Sequence, residues 1–274
     1  GMKTKAIGWM LGWALLGAVA AASAAEISEE LRQALQSDLA AIEKETPQMG
    51  EVMAALREIG AAYVPELVAP IDVDRYQGVV RRRIMTGTYL MDLTYASTFG
   101  RQADAARYGQ AVCQLLELVG YPQPELERRY REALEQIDEP GGDERLRNLV
   151  QEQQQSKLWQ DRLQNSDGVE FAADNLYGFL LEGLYLTAEL CYLSNYNPAS
   201  MAYVAYLRDS FQAYNRLLDR MGGSPEFAGW VEAHDRMNFL ASIFVILGDK
   251  PEIAPAQLDA LRPAIVQARD KFVR

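Results

Sequence analysis

Apolar residues recur along the chain at helical spacing. Leu31, Leu35, Leu39 and Ile42 fall on one face of a first helix, and Val52, Leu56, Ile59 and Tyr63 repeat the pattern in a second. Continued to the end, the pattern predicts helices over 28–44, 47–63, 73–99, 101–119, 124–138, 143–165, 169–195, 198–221, 225–247 and 256–272. The third and seventh are apolar on nearly every side, as in helices at the centre of a bundle. The sixth carries Gln151-Glu152-Gln153-Gln154-Gln155, with no apolar residue between Val150 and Leu158, and reads as solvated. No Asn-Gly or Asp-Gly pair separates two alternating runs; Asp167-Gly168 comes nearest, between helical tracts. Phe239 to Leu247 has strand-like composition but continues a helical pattern from Phe227. The fold class expected is all-α, built of stacked antiparallel helical hairpins, either a TPR-like solenoid or an irregular bundle of nine to ten helices.

Punctuation agrees with the periodicity. Ser28 precedes Glu29 and Glu30, a cap followed by acids that suit the positive end of a helix. Thr46-Pro47, Asn197-Pro198 and Ser224-Pro225 each set a capping side chain before proline, which fits a first turn. Gly120, Gly222 and Gly248 each follow an apolar run, where glycine can take the left-handed closing conformation. Pro263 is expected to kink or restart the last helix. The loop Glu139-Pro140-Gly141-Gly142-Asp143 marks a boundary near 139–143 between two halves of a single domain over 26–274. The halves are weakly alike. Gly87-Thr88-Tyr89-Leu90 and Gly183-Leu184-Tyr185-Leu186 each sit in an apolar helix, where a small residue beside a large one lets another helix approach closely.

The first 25 residues have a different character. Behind Gly1, read as a tag remnant before Met2, come Lys3 and Lys5, then an apolar run from Ala6 to Ala22 and the small residues Ala22-Ser23-Ala24. A basic start, an apolar stretch and a small-residue cleavage site are the three parts of a secretory signal peptide. Cleavage would leave a chain starting at Ala25 or Glu26, periplasmic or secreted. Membrane attachment would come only through an uncleaved signal segment. The formal charge of −11 argues against nucleic acid as a partner.

Composition limits the chemistry. His234 is the only imidazole, and the two cysteines lie far apart, so haem, zinc and histidine-triad patterns lack their residues. No phosphate-cradling glycine loop or Gly-x-Ser-x-Gly elbow occurs, and no cofactor is expected. Asp92 and Glu182 stand out because each interrupts one of the two most apolar helices, where an unpaired charge is costly. They read either as an acid–base pair in a pocket or as structural partners of Arg81, Arg82, Arg83 or tyrosine hydroxyls. Seven of the fourteen tyrosines, Tyr177 to Tyr214, lie in one helical hairpin. Tyr185, Tyr192 and Tyr196 share a face there. With Tyr89 and Tyr95, Tyr185 and Tyr192 are the candidate ligand contacts, set against a plain core role. Cys113 and Cys191 are either buried free thiols or, in an oxidising compartment, a disulfide.

The stretch Gly87-Thr88-Tyr89-Leu90-Met91-Asp92-Leu93-Thr94-Tyr95, with Glu182-Gly183-Leu184-Tyr185 further on, resembles the G-x-Y-x-x-D-L-x-Y and E-G-L-Y stretches of an uncharacterised family of exported all-helical bacterial proteins. The resemblance covers residues 75 to 221. It implies an all-α fold and export, and brings no reaction, ligand or catalytic residue. The function expected is a non-catalytic binding or protein-interaction module of the cell envelope, with an unknown protein or small-molecule partner. Two alternatives stand beside it: a carbohydrate- or cell-wall-active helical enzyme using Asp92 and Glu182, and a purely structural envelope protein.

Overall fold

In a computed structural model of the chain, residues 24–155, 162–228, 230 and 233–274 are described, with backbone alone for 155, 233 and 234. The signal segment over 1–23 and the His234 side chain lie outside the described residues. The described chain is all-α: α1 Glu29–Glu45, α2 Met49–Glu58, α3 Val79–Thr98, α4 Gln102–Leu118, α5 Pro124–Glu135, α6 Gly142–Gln155, α7 Ser166–Leu193, α8 Pro198–Gly222, α9 Ala233–Leu247 and α10 Pro255–Val273. Short 3-10 turns occur at Val73–Arg75 and Pro225–Phe227. None of these helices is long and apolar enough to cross a membrane.

Local signals set many of the ends. The Ser28 hydroxyl accepts from Leu31 N–H, and the Asn197 side chain accepts from Ala199 N–H with Pro198 in the first turn, as expected. Thr46 acts differently. It closes α1 by donating to Ile42 O, and α2 starts two residues after Pro47, behind Gln48. Ser224 opens only a 3-10 turn, so the expected helix over 225–247 is divided. Gly120 and Gly248 take positive φ after their helices, at 89° and 59°; Gly222 stays inside α8 instead. Pro263 does not restart α10, which runs on from Pro255 to Val273. Its missing N–H falls on the exposed side of the helix, where the carbonyl it leaves free can reach water.

The most extensive packing among the described helices is between α3 and α7. Gly87 and Gly178 make it possible. A Cβ on Gly87 would stand 1.9 Å from Asn175 O, and one on Gly178 1.9 Å from Ile84 O, so backbone lies directly on backbone. The expected role of Gly87 holds, but its counterpart is Gly178. Gly183 faces the thioether ends of Met49 and Met91, the nearest atom 3.2 Å away. Around this pair lie two apolar clusters, and α3 forms a wall between them. Ile84, Met91 and Tyr95 face the larger cluster with α1, α2 and α7 to α10; Met85, Tyr89, Leu93 and Ala96 face the smaller with α4 to α6. That two-sided burial is why α3 is apolar all round.

In a solenoid each hairpin would touch only its neighbours. Here α1 packs on α8 and α10 packs on both α7 and α3, so the irregular bundle is the form adopted. Ala133 and Leu146, on opposite sides of the 139–143 loop, share the smaller cluster. Gln153, expected in solvent, is buried and accepts from the Tyr130 hydroxyl beneath Gly109.

Candidate functional site

Between α2 and α3 the chain runs from Ile59 to Gly78 with a single 3-10 turn, where the helical pattern predicts helix up to 63 and again from 73. Gly60 and Gly78 at positive φ, with Pro65 and Pro70 between them, end the helices early. Part of this segment is buried, with Ala69 fully so and Leu67 nearly so. Buried backbone groups without a helix or sheet ladder need other partners. They are supplied by three of the candidate site residues, Tyr89, Asp92 and Tyr95, together with Tyr108 and Arg269.

Tyr95 donates to Ala62 O and accepts from Val64 N–H at 3.2 and 2.8 Å. Asp92 Oδ2 accepts from Ala69 N–H at 3.0 Å, and Tyr108 on α4 donates to Ala69 O at 2.5 Å. Tyr89 donates to Pro70 O at 2.7 Å and accepts from Asp72 N–H at 3.3 Å. Tyr89, Asp92 and Tyr95, three residues apart along one side of α3, therefore bind successive stretches of a segment running the opposite way. The Gly-x-Tyr-x-x-Asp-Leu-x-Tyr pattern has a structural meaning here. Its glycine seats α3 on α7, and its polar residues satisfy the segment above.

Asp92 and Glu182 are brought together, as the acid–base reading requires, but deep inside: they are 0% and 1% exposed. The two carboxyls are close enough for each to raise the cost of charging the other. Arg269 of α10 completes the cluster. Its Nε donates to Glu182 Oε2 at 2.5 Å, and its Nη2 donates to Glu182 Oε1 at 2.8 Å and to Leu67 O at 2.9 Å. The guanidinium lies 4.1 Å from the centre of the Tyr185 ring. Burial pushes the Asp92 carboxyl well above the usual carboxylate range, and the neighbouring Glu182 charge pushes it the same way. Burial also raises the phenols of Tyr89 and Tyr108, and that of Tyr95 to about 12. The arginines expected as partners are elsewhere. Arg81 donates to Phe272 O, Arg82 to Tyr76 O, and Arg83 to Asp167 and Asp174.

Asp174, fully buried on α7, forms a second cluster that sequence reasoning missed. It accepts from Arg236 Nη2 at 2.6 Å and from Arg83 Nη1 at 3.5 Å. Arg236 is held between the rings of Tyr177 and Trp230, about 4.8 and 4.9 Å away, and reaches the Tyr214 hydroxyl. The signal that singled out Asp92 and Glu182, a charge within an apolar helix, was equally present at Asp174.

Tyr192 is the candidate contact that remains open, at 41% exposure beside Leu193 at 56%. Arg262 stacks 3.5 Å above its ring and binds Glu189 with two hydrogen bonds of 2.9 Å. Tyr196 packs edge-on against Tyr192 and donates to Asp259 at 2.5 Å. The turn holding this platform places Asn195 and Tyr196 at φ 56° and 58°, a left-handed conformation unusual for a bulky residue.

Cys113 and Cys191 are buried free thiols, which corrects the disulfide alternative. They belong to different apolar clusters, and Cys191 donates to the Ser200 hydroxyl. Burial raises both, to about 12 and about 11. Among the described residues, no group of three or more His, Cys, Asp or Glu is placed to hold a metal ion. Comparison with family models, with curated proteins and with solved structures gives no match.

Proposed function

We propose that the protein is exported and works in the cell envelope as a non-catalytic binding or protein-interaction module. The basic–apolar–small pattern of the first 25 residues and the resemblance to exported all-helical proteins support export. The observation that carries the binding role is the platform at the end of α7. Tyr192 and Leu193 are exposed, Arg262 is stacked on the ring, and a left-handed turn fixes Tyr196 beside it. Tyrosine and arginine are the residue types that concentrate in interaction surfaces, and strain in a turn tends to be kept where geometry matters. The carbohydrate-enzyme alternative draws no support from Asp92 and Glu182. Asp92 Oδ2 is occupied by Ala69 and both Glu182 oxygens by Arg269.

A photo-crosslinking residue placed at 192, with a control at Arg128 on α5, tests this in living cells alongside purified protein incubated with cell-wall sacculi. The expected result is a discrete adduct from position 192 alone and no soluble sugar released. Sugar release that disappears in Asp92→Asn, with no adduct at 192, would overturn the reading.

A further inference from the structure

The buried cluster has two carboxyl groups against one guanidinium. Arg269 Nε and Nη2 donate to Glu182 and Leu67 O, while Asp92 Oδ2 faces Ala69 N–H. Asp92 Oδ1 is fully buried and has no donor directed at it. A buried carboxylate oxygen without a donor is costly; a hydroxyl in the same place is a donor in need of an acceptor, and Glu182 lies beside it. Among the described residues no other cation balances the count. From α4 and the segment come the phenols of Tyr108, Tyr63 and Tyr76, and from α3 itself those of Tyr89 and Tyr95. On α6, Gln154 offers an amide to Thr94. On α2, Arg57 reaches Thr98 O at the exposed end of α3.

We propose that Asp92, Glu182 and Arg269 form a one-proton latch on the 59–78 segment: a single proton is held between the two carboxyls while the segment is closed, and opening the segment releases it to solvent. The same groups hold Leu67 O and Ala69 N–H, so the proton and the segment's closed position are linked. Arg269 stays charged throughout. The raised position of the Asp92 carboxyl agrees with this arrangement. The sign follows from it. Well below the ordinary carboxylate range the open form carries two protons against the cluster's one, and above that range closing takes up a proton, so the closed form is favoured most within it. It loses ground as pH rises, until the closed cluster itself ionises.

Amide hydrogen exchange at Ala69, corrected for intrinsic rates and followed with pH, tests the proposal on the full chain. Release of one proton makes protection fall about tenfold per pH unit between roughly pH 5 and 7. In Asp92→Asn the side-chain oxygen still accepts from Ala69 and the amide donates to Glu182, so protection is expected to be flat over that range. A flat wild type, or an unchanged slope in Asp92→Asn, would overturn the latch. If Asp92→Asn does not fold, the infrared carboxyl band of the wild type decides. One protonated carboxyl in the folded protein at neutral pH, lost on unfolding in urea, supports the proposal, and its absence refutes it.

Discussion

Replacing Arg269 by methionine removes the cation but keeps much of the stem's volume. Glu182 then loses both guanidinium donors, at 2.5 and 2.8 Å, Leu67 O loses its own at 2.9 Å, and Tyr185 loses the group stacked on its ring. Glu182 is 1% exposed and cannot recover hydration without opening the bundle. Breaking one side of such a buried pair costs about 3–5 kcal/mol, a large share of a typical folding free energy of about 5–15 kcal/mol. Replacing both partners by apolar side chains behaves differently, because the desolvated charge is gone as well. Glu182→Met/Arg269→Met is therefore expected to be more stable than Arg269→Met alone by about 1–3 kcal/mol. Leu67 O stays unpaired in both, which keeps the double variant below wild type by about 1 kcal/mol or more. Urea unfolding followed by circular dichroism measures all three. An Arg269→Met loss under about 1 kcal/mol, or a double variant no more stable than the single, would refute the reasoning.

Gly87→Ala and Gly178→Ala each drive a methyl into backbone at 1.9 Å and should cost at least about 3 kcal/mol by thermal or urea unfolding. Gly183→Ala meets flexible methionine ends at 3.2 Å and should change stability by under about 1 kcal/mol. Tyr95→Phe and Tyr108→Phe leave Val64 N–H and Ala69 O without these hydroxyls; each should lose about 1–2 kcal/mol and speed amide exchange in the segment. Alkylation of the native protein should label neither cysteine, and intact mass should be the same with and without prior reduction. Labelling of Cys113 in the native state would contradict its burial.

Periodicity was enough for the helical class, and the all-apolar character of α3 and α7 for their central place, because burial on two faces leaves no room for a polar stripe. Asp92 and Glu182 were legible for the same reason. Arg269 was not. It sits 87 residues beyond Glu182 on an amphipathic helix, where an arginine ordinarily faces water. Nor did spacing reveal that Gly87 pairs with Gly178, since helix crossing depends on packing in three dimensions. The 59–78 segment was misread as helix at both ends. Apolar residues such as Ile59 and Tyr63 continue the period, but the glycines and prolines among them stop the backbone.

The central claim is that the paired carboxyls and their tyrosines hold an irregular segment in place. Amide exchange at Ala69, in wild type and in Arg269→Met at neutral pH, tests it most directly. In the wild type this loop amide should be protected far above an exposed loop, though below the core of α3, and it should exchange much faster once Arg269 is gone. Exchange in the wild type as fast as that of an exposed loop would contradict it.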